Sequence, residues 1–343
     1  MDAARLPRSR TDDVEVTPKP EFQASPQLLA VMRCQRGIFT ADQAYAGGYA
    51  PSEIQRLRAV GVLHSVRRGI YASAATYGAL DPIQRHQVDT QAALLCLREP
   101  AILSHESAAA WTGMPLLRPE LGLVHVTRPE LRSSRREADI HHHPGALPSG
   151  HATTCAGTAV TTPARTAVDI ARNTNFARAL AAVDSCLRGG VRRDELIATM
   201  EFCASWPGAR SASRAVSAGD GRAANPGESW SRAVLIEAGL EPTALQLEVR
   251  DAAGLVGFAD FGWEDRMTLG EFDGRLKYAV PLGADAGEAA RVVWAEKRRE
   301  DRLRARGFEV VRWTWEDLFR PAQLVGRVLA AFARADGRRR TAN

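Results

Sequence analysis

The chain has 343 residues, of which 45% are apolar and 25% charged, and 45 Lys and Arg stand against 40 Asp and Glu for a net charge of +5. That is room for two or three domains with real cores, and the slightly basic balance permits a nucleic-acid partner without requiring one. No apolar run reaches the ~18 residues that span a bilayer, and the five scattered cysteines (Cys34, Cys96, Cys155, Cys186, Cys203) lack zinc or disulfide spacing, which reads as reduced thiols in a cytoplasm.

Residues 1–24 are charged, carry prolines and have no apolar core, as in a disordered tail and unlike a signal peptide. A short amphipathic helix over 27–36 is stopped by Gly37. Thr40 caps a second helix over 41–46, which Gly47-Gly48 ends. Pro51 opens a third helix reaching Val60, with Ile54, Leu57 and Val60 inward and Ser52, Gln55, Arg56 and Ala59 outward. From Val62 to Ala72 the pattern is a hairpin with Arg67, Arg68 and Gly69 at its tip. Three helices and a basic hairpin over 25–75 predict a winged helix-turn-helix. Ser52, Gln55 and Arg56 would face a major groove, and Arg67 and Arg68 would meet phosphates or a minor groove. The plainer alternative is a small structural or protein-binding helical module.

Three motifs, Gly37-Ile-Phe-Thr-Ala-Asp-Gln-Ala, Leu63-His-Ser-Val-Arg-Arg-Gly-Ile-Tyr71 and Leu103-Ser-His-Glu-Ser-Ala-Ala-Ala-Trp111, resemble the AbiEi-type antitoxin family over about residues 25–115, and more loosely to Arg172. The resemblance implies a winged helix on double-stranded DNA, repression of its own operon, and a cognate toxin encoded nearby.

Residues 76–218 read as an α/β and helical middle region. Helices are expected over 81–99 and from Ser104 to Gly113, strands over 122–127 and 138–143, and a basic loop over 132–136. His141 and His143 share a strand face, which with His151 invites a metal. No nearby acid or Cys completes a site, so these are read as ordinary histidines. Thr162 and Pro163 start a helix in which Arg165 and Asp169 form an i,i+4 ion pair, which speaks against a catalytic Asp169. Helices follow over 176–188, 193–202 and 208–218, then a Gly/Pro-rich linker over 219–227.

The last domain, over 228–335, reads as helix, three strands, helix, strand. Asp260 and Glu271 fall on the second and third strands, and Leu269, Glu271 and Asp273 share a face. Two such carboxylates suit Mg2+, although two solvated strand-end acids would look alike. Together with Glu228-Ser-Trp, Ala259-Asp260, Glu271-Phe-Asp273-Gly, Glu296-Lys-Arg-Arg-Glu-Asp301 and Gly307-Phe-Glu-Val-Val-Arg-Trp-Thr-Trp315, the order resembles the restriction-endonuclease-like αβββαβ core. More closely it resembles an uncharacterised family related to very-short-patch repair endonucleases. The resemblance implies Asp260 and Glu271 as Mg2+ ligands with Glu228 beside them. That pattern carries Lys two residues after the second acid, where this chain has Asp273; Lys277 or Lys297 are the substitutes at hand. The basic end, residues 336–343, reads as a solvated tail.

The expected fold is therefore multi-domain α/β. Three functions follow: a DNA-binding regulator of the AbiEi type with a nuclease-like tail, an Mg2+-dependent DNA endonuclease targeted by its winged helix, and a degenerate nuclease fold kept for binding.

Overall fold

The computed structural model describes residues 22–97, 99, 101–274 and 286–342. It is mixed α/β, with three sheets among the described residues, and divides into two compact units, Met1–Cys96 and Leu97–Asn343.

The first unit runs α1 (Pro26–Cys34), β1 (Ile38–Thr40), α2 (Ala41–Ala46), α3 (Pro51–Ala59), β2 (Leu63–Arg67), β3 (Ile70–Ser73), α4 (Ala74–Ala79) and α5 (Pro82–Cys96). Gly37, at φ +84°, turns the chain out of α1. Thr40 and Gln43 form a reciprocal capping box on α2. The sheet is antiparallel in the order β1-β3-β2, and Leu28, Phe39, Ile54, Leu63 and Tyr71 close the core beneath it. Val60 departs from expectation: it caps α3 and is 55% exposed, whereas Val62 is buried. The helix ends at Ala59, so Val60 no longer follows the inward phase of Ile54 and Leu57.

The second unit opens with β4 (Ile102–Leu103), α6 (His105–Thr112), β5 (Val124–Arg128), β6 (Arg135–Glu137), β7 (Ile140–Pro144), β8 (Ala152–Cys155) and β9 (Thr158–Thr161). These strands form one mixed sheet, order β6-β7-β5-β4-β9-β8, with β5 parallel to β7. Next come α7 (Pro163–Asn173), α8 (Phe176–Arg188), α9 (Arg193–Phe202), α10 (Ala209–Ala218) and α11 (Pro226–Glu237). Val168, Leu180, Val183, Leu196 and Ala233 share one core, so α11 packs with the helices before it. Residues 219–227, expected as a linker, lie inside this unit. Asp220 donates its N–H to Asp184 (2.7 Å), Arg188 reaches the Ala223 carbonyl (2.7 Å), and Arg232 pairs with Asp184 in the interior (2.7 Å).

The chain ends with β10 (Ala244–Asp251), β11 (Gly254–Trp263), β12 (Thr268–Asp273), α12 (Ala286–Ala305), β13 (Glu309–Thr314), α13 (Trp315–Leu318) and α14 (Pro321–Ala342). The sheet order is β10-β11-β12-β13, antiparallel except for β12 with β13. On one face Phe261, Trp263, Val311 and Trp313 pack with Leu235, Leu318, Leu324 and Val328 from α11, α13 and α14. On the other, Ala259 and Leu269 pack with Leu303 of α12. The basic end is helical and not a loose tail: α14 runs through it with Arg338, Arg339 and Arg340 exposed, and Arg334 and Arg338 hold Glu309.

Candidate functional site

In the first unit, α3 buries Ile54 and leaves Ser52, Gln55 and Arg56 exposed. Arg68 is exposed beside Gly69, whose φ of +76° closes the two-residue turn, while Arg67 ends β2 half-buried opposite Ile70. The surface has polar, hydrogen-bonding side chains on a helix and a cation on an adjacent turn.

The C-terminal sheet gathers the acids. Phe261 pairs with Gly270, which sets Asp260 beside Glu271 one step along, and the Phe272 N–H donates to Asp260 Oδ2 (2.8 Å). Leu245 and Phe261 belong to one face's core, Leu247 and Ala259 to the other's. Between these rungs Gln246 takes φ +50°, and the ladder crosses faces there. Its amide then bridges Asp260 Oδ1 (3.2 Å) and Glu228 Oε2 (3.3 Å). Glu228 arrives from the first turn of α11, where a Cβ on Gly227 would collide with the Phe272 ring. It also accepts from the Ala224 N–H and the Asn225 amide, both at 2.7 Å.

Burial lifts the Glu228 carboxyl to about 7, helped by the neighbouring Asp260 charge and opposed by the Ala224 N–H. Burial also raises Asp260, against the hydrogen bonds from Phe272 and Gln246. Glu271 is held differently: Arg299 donates to Oε1 (2.6 Å) and Arg312 to Oε2 (2.7 Å). Asp273 is exposed at the end of β12, opposite Thr314. Lys297 is exposed on α12 with its ammonium 5.9 Å from the Trp294 ring centre. Lys277 lies outside the described residues. Sequence reasoning missed Gln246, which carries no local signal, and Arg299, which shares a helix face with Leu303 and so was readable from helical phase.

The histidines regroup. His141 and His143 do share a strand face, but His151 sits apart, near Arg165 (3.2 Å) and Phe202. Around the pair stand His125 of β5 and His105 of α6. Arg165 and Asp169 do pair at i,i+4 (2.8 Å), yet both are buried, and Trp206 covers the arginine. Ser104 and Thr162 precede their helices without a side-chain capping bond; the Ser104 hydroxyl goes to His105 instead.

Residues 69–216 match the AbiEi antitoxin C-terminal domain, from the hairpin turn through α10. The match takes in α7 to α10, where the sequence alone offered little, and supports an AbiEi-type relationship for this stretch. The uncharacterized proteins MT2308 and Rv2248, from two strains of Mycobacterium tuberculosis, are each 31% identical over 181 residues, 52% of this chain and 64% of theirs. The chain thus spans just under two thirds of the length of these relatives. The crystal structure of the RV2827C protein from Mycobacterium tuberculosis covers 68% of this chain and 90% of its own, at a TM-score of 0.39 and 15% identity. That likeness is below the level at which a shared fold is assigned. Among the described residues no helix is long and apolar enough to cross a membrane.

Proposed function

We propose that the chain is a DNA-binding regulator of the AbiEi antitoxin type, acting with a cognate toxin and carrying a restriction-endonuclease-like C-terminal domain. The observation that carries DNA binding is the first unit's surface. The α-β-α-α-β-β order is that of a winged helix, with Ser52, Gln55 and Arg56 outward on α3 and Arg68 at the turn of the β2–β3 hairpin. In this reading α3 meets base edges and the hairpin meets phosphates. The test is DNA binding by the full chain across salt concentrations. Replacing Arg67 and Arg68 by Ala should weaken binding to all sequences and flatten the salt dependence by at most about two units of slope. Gln55→Ala or Arg56→Ala should instead erode discrimination between sequences by about 1–3 kcal/mol. An unchanged salt slope in the double variant defeats the hairpin assignment.

A second reading, an Mg2+-dependent DNA endonuclease, draws on the clustering of Glu228, Asp260 and Glu271 around one rung of the sheet. Oxygen donors from adjacent strands fit Mg2+ in kind, and a divalent cation would offset the charge of the partly buried Asp260 and Glu271. Asp260 and Glu271 would hold the ion, which supplies Lewis acidity toward a phosphodiester when bound. Gln246 would orient Asp260, and Arg299 would bring the positive charge that the related pattern draws from Lys. The double arginine clamp on Glu271 favours the third reading, a fold kept for binding. Plasmid incubated with Mg2+ separates the two. Cleavage abolished by both Asp260→Ala and Glu271→Ala upholds the enzyme, whereas neither cleavage nor Mg2+ or Mn2+ binding by the natural sequence leaves the binding role.

A further inference from the structure

We propose that His105, His125 and His143 form a transition-metal site that takes Zn2+ through three imidazole nitrogens and leaves the fourth position open to the adjoining cavity. The site is independent of the DNA-binding and nuclease readings and lies in the stretch that matches the antitoxin domain.

The geometry comes from three elements. β5 and β7 run parallel with His125 opposite His141 and Thr127 opposite His143, so the three imidazoles of these strands share a face. His125 Nδ1 and His143 Nε2 are 2.9 Å apart, and one nitrogen of His105 completes a triplet whose ligand atoms all lie within 4.8 Å of one another. Zn–N bonds of about 2.0–2.1 Å in a tetrahedron place ligand nitrogens roughly 3.3 Å apart, so small side-chain rotations suffice. A nitrogen-only donor set selects first-row transition ions over Mg2+ or Ca2+.

The surroundings hold the third ring in place. His105 sits at φ +51°, a conformation costing on the order of 1–3 kcal/mol for a residue with a side chain. Two bonds to the His125 backbone hold it there: the Ser104 N–H donates to the His125 carbonyl (3.1 Å), and the His125 N–H donates to Ser107 Oγ (2.8 Å). Ser104 Oγ lies 2.9 Å from His105 Nδ1, the kind of partner that fixes a metal-binding imidazole by its other nitrogen. That leaves Nε2 for the metal, in place of the Asn173 amide now 3.2 Å away. A cavity of about 540 Å³, lined by His105, His141, His143, Asn173 and Trp206, gives a water or small ligand access to the fourth position. Ser134 engages His141 Nε2 at 2.7 Å, which keeps that ring outside the triplet.

The experiment is titration of the full chain with Zn2+ alone, and with Co2+ read by visible absorption. Cys34→Ser and Cys96→Ser are included because both thiols are exposed and an exposed thiol is itself able to take up Zn2+. One equivalent should bind, with the intense visible bands of four-coordinate Co2+. His125→Gln and His143→Gln, both at partly exposed positions, should weaken binding by about 100-fold or more while circular dichroism stays unchanged. His141→Ala should stay within about tenfold of the parent, as for a residue outside the ligand set, and Asp260→Ala should have no effect. Absence of Zn2+ binding overturns the proposal, as does one equivalent bound with equal affinity by both glutamine variants. Equal loss in His141→Ala and His143→Gln overturns the open fourth position.

Discussion

Arg68 and Arg232 show how differently the two units use the same side chain. Arg68 stands exposed at a hairpin turn of the first unit, its charge presented to solvent. Arg232 is buried in α11 of the second, 2.7 Å from Asp184, whose side chain is wholly inaccessible. The pattern extends beyond this pair. The polar residues of α3 face outward, whereas the second unit encloses Arg165 with Asp169 and ties Glu271 between Arg299 and Arg312. A charge left in water contributes little to stability and is free to meet a partner. A charge taken out of water must be matched, so its loss registers in the fold itself.

The largest effect expected is at Arg232. Burial raises the Asp184 carboxyl to about 6, and Arg232 is the leading influence that lowers it. Arg232→Met should push it higher still. A carboxyl whose folded pKa lies above its unfolded value favours folding at low pH and loses that contribution as pH rises through the folded pKa. Arg232→Met should therefore be mildly destabilised at pH 5 and lose about 3–5 kcal/mol at pH 8, where Asp184 is a buried charge without its cation. All seven tryptophans lie beyond Cys96, so denaturant unfolding followed by tryptophan fluorescence reads this unit alone. An equal loss at both pH values would contradict the linkage.

At an intermediate scale, Thr40→Ala removes one half of the capping box on α2, the Gln43 N–H to Thr40 Oγ1 bond of 3.2 Å. It should cost the first unit about 1 kcal/mol, seen as faster amide exchange in residues 38–46 with tryptophan-detected unfolding unchanged. The smallest effect belongs to Arg68→Ala, which should move stability by less than about 0.5 kcal/mol. The same variant should lower the salt slope of DNA binding by about one unit. A stability loss above 1 kcal/mol there would mean that the exposed arginine supports the fold.

Local signals carried much of the architecture. Helix ends follow from residues whose backbone or side chain satisfies the terminal N–H and carbonyl groups, such as Thr40 on α2 and Gly113, at φ +77°, after α6. Strand alternation put Leu269 and Glu271 on one side, and there they meet Leu303 and Arg299 of α12. Where a signal depended on continuing a period, it failed at the first irregularity. Val60 left the α3 stripe because the helix stopped, and residues 219–227, rich in Gly, are tied to α8 through Asp184 and Arg188 and run into α11.

What the sequence determined by itself is most of the helices and the longer strands, because those depend on neighbours within a turn or a strand; the short strands β4, β6, β8 and β9 of the mixed sheet were not read from it. Only the tertiary structure decided which distant polar groups meet. Gln246 joins Asp260 to Glu228 because its positive φ swings the ladder from one face of the sheet to the other. Arg299, and not Lys297, reaches Glu271 because the face of α12 that carries Leu303 is the one the sheet covers. His105, His125 and His143 converge because two backbone bonds tie the start of α6 to β5, and β5 lies beside β7. Each encounter is set by packing across many residues of chain, and spacing along the sequence holds no record of it.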